Sequence, residues 1–401
     1  RNFFKSILEG MLRMKILYIL SSGWGGGNIA AVNLMKKMAE MNECAVLVPL
    51  GNEWINQSLS PLGVKVFYDD YGLTVWPGNR NPIKYFRNLF RWLKQIKNAK
   101  KRITKLVDSF NPDLVHTNVG PLDLAFDLCK KRKIPHVWHL REYQDLDFGM
   151  KVFPSKKNFQ RKILSAGNYN VAITKGIFDY WNLRLCDKVI YDGVFQELPI
   201  QEPCKEKENT FLYAGRLEKA KGLDVLINSF ARVHQKHPDW KLKVLGSIEK
   251  ANHYAQHCIN LVKQLGLEND IIFCGYRKDV LSFMETSKIV VVPSLHEGFG
   301  FVSVEAMKSS CLVIGRNTAG LKEQFDRGFE ICKAEIALRF NTDDELHEKM
   351  IYSIENNCSE IVQRARQLVY AEYTNEKHYV QVQNMYHSVL KANTAFEQEG
   401  A

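Results

Sequence analysis

The chain has no run of about 18 uninterrupted apolar residues, which excludes a membrane-spanning helix. Its nine cysteines are scattered singly, with no Cys-x-x-Cys pair and an odd total. That distribution argues against a disulfide scaffold and fits a reducing cytosol. Sequence repeats and low-complexity tracts are missing. The start, Arg1-Asn-Phe-Phe-Lys-Ser-Ile-Leu-Glu-Gly-Met-Leu-Arg13, is amphipathic but lacks the long apolar stretch and cleavage site of a secretion signal. Met14 is the alternative start, because Lys15 opens an obvious strand. No nucleic-acid motif accompanies the basic charge, so nucleic acid is set aside as a partner.

What is present is an ordinary globular composition over 401 residues, enough for two domains with a core each. Charge is uneven: residues 1–200 carry a net +13 and the remainder a net −2. A basic half beside a nearly neutral one points to a polyanion near the first domain, either nucleic acid, an anionic membrane or a phosphorylated ligand. Short apolar runs alternate with helical spacing throughout. Lys15–Leu20 reads as a buried parallel strand ending in a glycine-rich turn, followed by a helix over Asn28–Ala39. Further strands are read at Ala45–Leu50, Val64–Tyr68, Asp113–His116 and Pro135–His139. The alternation restarts with short strands at Asn170–Ile173 and Val189–Tyr191 and, after the charged, proline-containing stretch Glu197–Asn209, continues with strands at Thr210–Tyr213, Lys241–Leu245, Ile271–Cys274, Ile289–Val292 and Leu312–Gly315. This predicts two doubly wound α/β domains, over 1–187 and 188–373, with a helix in 374–401 returning to the first. Ligand is expected where the carboxyl ends of the two sets of strands meet across a cleft.

Three segments carry candidate chemistry. In Pro293-Ser-Leu-His-Glu297-Gly-Phe-Gly-Phe-Val-Ser-Val-Glu305, a strand end is followed by two glutamates eight positions apart. The first is flanked by Gly298 and Gly300, and the second falls in the first turns of a helix. Carboxylates so placed suit vicinal diols, though acids at helix starts are also favoured for their own sake. In Tyr213-Ala-Gly-Arg216-Leu-Glu-Lys-Ala-Lys221-Gly222, a planar fork and a point charge five residues apart suit a diphosphate, and a solvated basic loop has the same composition. Ser21-Ser-Gly23-Trp-Gly25-Gly-Gly27-Asn28 lies where such a domain cradles phosphate. It departs from a dinucleotide fingerprint in Asn28, and the second strand lacks an acid at its tip, both of which disfavour a nicotinamide-dependent dehydrogenase.

Together the three segments resemble the family 4 glycosyltransferases of the GT-B fold. Glu297 and Glu305 match its E-x7-E pattern, and residues 215–222 its Gly-Arg-x4-Lys-Gly pattern. Tyr191-Asp-Gly-Val194, Thr318-Ala-Gly320 and Glu323 follow in the same order, with Asp192 where the family usually has Asn. The Arg327–Cys332 segment diverges from the family. The resemblance implies a retaining hexosyltransferase that uses a UDP- or GDP-sugar, with no metal or other cofactor. Arg216 and Lys221 would hold the diphosphate, and Glu305 the ribose. Glu297 would contact the sugar, near the amides of Gly298, Phe299 and Gly300. Gly25 and Gly26 would admit the phosphate or sugar, Tyr276 and Arg277 would flank the base, and His139 would lie by the donor sugar. A catalytically silent partner subunit with the same fold is the alternative.

Residues 80–105 hold ten Lys/Arg and no acid. Ile83, Phe86, Phe90, Leu93 and Ile96 form one apolar stripe, with Lys84, Arg87, Arg91 and Lys94 away from it. Such a helix either packs its stripe in a core or rests on anionic lipid. With the lipid-linked or other saccharide acceptors common in the family, the expectation is a cytoplasmic protein, peripheral on the inner face of a membrane, in polysaccharide or glycolipid synthesis. His253 and His257, at helical spacing, are a weak metal candidate or a solvent-facing pair.

Overall fold

A computed structural model of the chain describes residues 13–23, 25–77, 82–196, 206–249 and 251–399, with side chains through 393. Residues 1–12, Trp24 and Arg80 lie outside it, and with them most of the amphipathic start. The chain divides into two compact units, Arg1–Gly193 with Asn375–Ala401, and Val194–Thr374.

Unit 1 is built on seven parallel strands: β1 (Lys15–Leu20), β2 (Glu43–Pro49), β3 (Lys65–Asp69), β4 (Leu114–Asn118), β5 (His136–Leu140), β6 (Asn168–Ala172) and β7 (Lys188–Val189). Their order is β3-β2-β1-β4-β5-β6-β7. Consecutive residues of β1 point to opposite faces, and both faces are covered. Ile16, Tyr18 and Leu20 enter one core with Val32, Met35 and Met38 of helix α1 (Gly26–Met38). Leu17 and Ile19 enter the other, with Ala99, Ile103, Val107 and Phe110. Two-sided burial is why the strand reads as an unbroken apolar run.

Those last four residues belong to α2 (Pro82–Phe110), a helix that changes character along its length. Its second half packs into the core. Its first half leaves Ile83 82%, Phe86 57% and Phe90 71% exposed. The apolar stripe read from the sequence therefore has no core behind it at this end. Trp92, on the flank, donates to the Leu73 carbonyl at 3.1 Å and holds the helix down.

Unit 2 has six parallel strands: β8 (Glu208–Ala214), β9 (Lys241–Leu245), β10 (Ile271–Gly275), β11 (Ser287–Val292), β12 (Leu312–Arg316) and β13 (Leu338–Phe340), in the order β10-β9-β8-β11-β12-β13. Helix α3 (Leu223–His234) buries Leu226, Ile227, Phe230 and Val233 against them. Helix α4 (Phe301–Lys308) follows β11. The expected pair of doubly wound α/β sheets is thus present.

Helix α5 (Asn375–Glu399) returns to unit 1. Tyr379, Val382, Met385, Tyr386 and Val389 join the core that covers one face of β1. The Tyr386 hydroxyl hydrogen-bonds the buried His116 ring. Burial, then the charge of Arg141, holds His116 well below its ordinary pKa, so a neutral ring meets the phenol.

The chain leaves and re-enters unit 1 at one place. A side chain on Gly193 would sit 2.6 Å from the Asn375 Cα, so only glycine lets the two strands of chain pass so closely. Asp192, fully buried, pairs with Arg141, itself 3% exposed. The Arg141 Nε also donates to Asn118 Oδ1 at 2.6 Å. An aspartate at 192 is accounted for, because a buried guanidinium requires a counter-charge. We expect Asp192→Asn to lose about 3–5 kcal/mol of unfolding free energy, measured by urea denaturation. An unchanged midpoint would mean that Arg141 is neutralised by some other route.

Candidate functional site

In unit 2 the loops after β8 and β11 lie against one another. Gly222 adopts a left-handed conformation, φ 69°, and a Cβ there would meet the Pro293 carbonyl oxygen at 2.6 Å. The Leu295 amide donates to the Ala220 carbonyl at 2.8 Å. With the backbones so joined, Lys221 Nζ donates to Glu297 Oε1 at 2.7 Å. Both side chains are partly buried, where such a pair is stronger than at an open surface. Arg216 stands at the end of β8 with its Nη1 donating to Glu218 Oε1 at 2.9 Å.

The glutamate loop is held from behind. The Gly320 amide donates to the Glu297 carbonyl at 2.9 Å, and a Cβ on Gly320 would lie 2.6 Å from the Gly298 oxygen. Gly300, at φ 90°, turns the chain into α4. The Gln324 amide nitrogen donates to the Gly300 carbonyl at 3.3 Å. Phe299 is buried against Phe301 and Tyr373. These contacts explain the Thr318-Ala-Gly320 motif, and they add Gln324, whose role sequence reading missed. With glycine at the N-cap, no side chain caps α4, so amides of its first turn are left for another acceptor.

Glu305 falls in the second turn of α4. Burial pushes its carboxyl up to about 7, opposed only by Lys308. Tyr276 is 60% exposed just beyond β10, while Arg277 next to it donates to both oxygens of Asp279, at 2.9 and 2.7 Å. Lys221 and Glu297 are therefore brought into direct contact, and Arg277 is already engaged by a neighbouring acid.

In unit 1, Gly25 is the N-cap of α1 and Gly26 its first residue. The Gly25 carbonyl accepts from the amides of Asn28 and Ile29, both at 3.0 Å. The Asn28 side-chain nitrogen donates to the carbonyls of Ser21 and Gly23, at 3.0 and 2.9 Å. Asn28 closes the turn itself, which is why this loop does not need the third glycine of a dinucleotide fingerprint. Gly27 is required for a different reason: a Cβ would lie 2.9 Å from the Arg141 Cδ.

His139, on β5, is fully buried between the rings of His116 and His378. One ligand-type atom from each of His139, Asp192 and His378 lies within 4.8 Å of the others. Burial lowers both histidines, His378 to about 4. A cation among them would face the Arg141 guanidinium, already paired with Asp192 and 3.4 Å from His139 Nδ1. That charge disfavours a metal here, although His139 Nε2, Asp192 Oδ1 and His378 Nε2 are buried without a hydrogen-bond partner among the described residues. His253 and His257 are both exposed and belong to no group of three possible ligands among the described residues. Directly after β5, Glu142 is raised to about 7 by burial. Gln144 holds φ 73° and ψ −60°, a costly conformation for a residue with a side chain.

Against known proteins, residues 194–373 match the family described as Glycosyl transferases group 1, a span that coincides with unit 2. An uncharacterized glycosyltransferase of Methanocaldococcus jannaschii, MJ1178, is 29% identical over 67% of this chain and 72% of its own length. The capsular polysaccharide biosynthesis glycosyltransferase CapM of Staphylococcus aureus is 29% identical over 45% of this chain and 46% of its own. The chain spans between about a quarter and three-quarters of the length of the first curated relatives it matches. Among solved structures, Anabaena HepE in complex with UDP and glucose superposes with a TM-score of 0.71 at 18% identity, covering 94% of this chain and all of that one. The fold is GT-B.

Within unit 2 the two glutamates differ in electrostatic setting. Glu297 has Lys221 as a direct partner, whereas Glu305 has none so close. A carboxyl raised to about 7 keeps its proton in the folded state over a range where the unfolded chain has lost it, so stability falls as pH rises from about 4.5 to 7. Glu305→Gln removes that term. The variant should match the wild type below about pH 5 and melt at higher temperature than it above about pH 7. Melting curves that stay parallel across this range would show that Glu305 is not held protonated.

Proposed function

We propose that the chain is a retaining glycosyltransferase that moves a hexose or related sugar from a UDP- or GDP-sugar to a lipid-linked saccharide acceptor. The observation that carries this reading is the Lys221–Glu297 pair, 2.7 Å apart, on two abutting loops of a glycosyltransferase group 1 domain. Donor binding exchanges this contact: Lys221 turns to the diphosphate with Arg216, and Glu297 accepts from sugar hydroxyls. Glu305 receives the ribose diol. The two cations neutralise the leaving diphosphate, so the reaction proceeds without a metal. The acceptor attacks from the face that the phosphate leaves, and the phosphate takes its proton, which accounts for retention without a carboxylate nucleophile. HepE, with UDP and glucose bound, is a solved example of the fold holding such ligands. CapM, by its name, works in capsule synthesis, which supports a surface polysaccharide or glycolipid product.

Arg216→Ala and Lys221→Ala should each lower turnover with a nucleotide-sugar panel by on the order of a hundredfold or more while circular dichroism and melting temperature stay unchanged. Wild-type kinetics in either variant would remove the cations from the mechanism.

The first half of α2 is the proposed membrane contact. Exposed Ile83, Phe86 and Phe90 supply apolar insertion, and Lys84, Arg87, Arg91 and Lys94 supply charge with no acid among them. The enzyme would then sit peripherally on the inner, anionic leaflet. Each cation near such a surface contributes about 1 kcal/mol. Replacing Arg87, Arg91 and Lys94 by Gln should therefore weaken sedimentation with phosphatidylglycerol vesicles by roughly a hundredfold. Equal binding of the wild type to neutral phosphatidylcholine vesicles would count against the electrostatic contact.

A further inference from the structure

Unit 1 contains a cavity of about 280 Å³ that none of the roles above uses. Its wall is made where the loop after β3 pairs antiparallel with the segment after β5, Val75 opposite Val152. The Trp76 amide donates to the Lys151 carbonyl at 2.8 Å, and Phe153 to that of Thr74 at 3.0 Å. The Trp76 indole nitrogen donates to the Pro154 carbonyl at 3.1 Å. Around the cavity stand Trp76, Tyr143 and Tyr180, with Lys151, Lys156 and Gln144.

The lining is aromatic and, apart from the Asp145 carboxylate, cationic. Aromatic faces carry partial negative charge and suit the weakly positive C–H faces of a pyranose. The Lys156 ammonium sits 3.1 Å from the Tyr180 ring centroid. Neither Lys151 nor Lys156 forms an ion pair among the described residues, while Asp145 is engaged by the Tyr180 hydroxyl. Burial holds Lys156 below its ordinary pKa despite the charge of Asp145, a penalty that a further anion alongside would relieve. Gln144 is 1% exposed, and its Oε1 has no hydrogen-bond partner among the described residues, although its backbone is held in a costly conformation. An orphaned buried acceptor in a cavity lining calls for a donor from a ligand.

We propose that this cavity binds a saccharide carrying a phosphate, with the ring on the aromatic wall, a hydroxyl donated to Gln144 and the phosphate on Lys156 and Lys151. That this ligand is the sugar acceptor rests on the function proposed above; the binding itself does not. The cavity wall also runs into the covered face of the first half of α2, opposite its exposed apolar stripe. Trp76 stacks on Tyr85 with rings 17° from parallel, and Phe153 lies edge-on to both Trp76 and Trp92. A head group in the cavity is therefore placed beside the helix whose apolar residues face outward, which fits a sugar phosphate attached to lipid.

The test titrates the full chain with glucose 1-phosphate, glucose and inorganic phosphate, read by saturation-transfer NMR and tryptophan fluorescence. Glucose 1-phosphate should bind at least about tenfold tighter than glucose. Lys156→Gln, at the rim, should abolish that advantage, and Trp76→Ala should weaken both sugars. A polyprenyl glucosyl phosphate in phosphatidylcholine vesicles that displaces glucose 1-phosphate supports the lipid-borne source; no displacement supports a soluble sugar phosphate in the same site. Equal affinity for glucose and glucose 1-phosphate, or an unaltered Lys156→Gln, overturns the proposal. A UDP titration of the same preparation reports on the donor separately. Sugar-phosphate binding without UDP binding would overturn the transferase reading and leave the cavity's ligand standing, and the reverse would do the opposite.

Discussion

All thirteen strands among the described residues run parallel to their neighbours, and that constraint governs where chemistry can occur. A parallel strand cannot turn back on itself, so the chain must cross the sheet through a helix before the next strand begins. Every carboxyl end within a sheet then opens on the same edge. The loops after β8 and β11, separated by dozens of residues, abut because their strands are hydrogen-bonded neighbours. Lys221 can reach Glu297 for the same reason. At the corresponding edge of unit 1, the segments after β3, β5 and β6 supply the cavity lining. Helices buried against both faces, α1 and the second half of α2 among them, hold the strands in place so that these edges keep their geometry.

Burial sets what each charge can do. Arg141 and Asp192 are both out of water, and each is tolerable only because of the other. They act as structure, fixing the end of β5 to the point where the chain leaves unit 1. Lys221 and Glu297 keep partial access to solvent, so their pair can open for a ligand at modest cost. Glu305 and Glu142 are half-buried with weaker compensation, and desolvation moves both carboxyls up to about 7. A carboxyl poised there can serve as donor or acceptor near neutrality, which an exposed glutamate cannot do.

Much of this is legible from the residues. Lys15–Leu20 and Lys241–Leu245 read from the sequence with the bounds that the structure has, the first because a parallel strand buried on both faces is an apolar run with abrupt ends and the second because lysines alternate with buried Leu and Val. β13, three residues long, is too short to carry such a pattern and does not show in it. Helical spacing locates α2, but periodicity reports only that a stripe exists. What covers the stripe is a tertiary fact: Ile83 and Ile103 sit on the same helix, the first exposed to solvent and the second buried in the core. Aspartate in place of asparagine at 192 reads as a local matter of turns. Its cause lies 51 positions away at Arg141, beyond any local pattern. The motif residues themselves stand out because their types are chemically unusual for a loop. The residues that fix them, Gln324 and Asn28, do not, since a polar side chain that bonds to backbone looks like any other surface residue.

The close passage of Gly193 and Asn375 has a consequence for the ancestry and engineering of the chain. Unit 1 is interrupted once, and both cut ends emerge side by side, so unit 2 is topologically a guest inserted into a host that is otherwise continuous. A host arranged in this way can accept a different guest of the same end-to-end spacing without rewiring its own sheet. Lineages of such proteins are then free to shuffle the inserted cassette and the surrounding frame as separate parts, provided that glycine remains where the two threads touch.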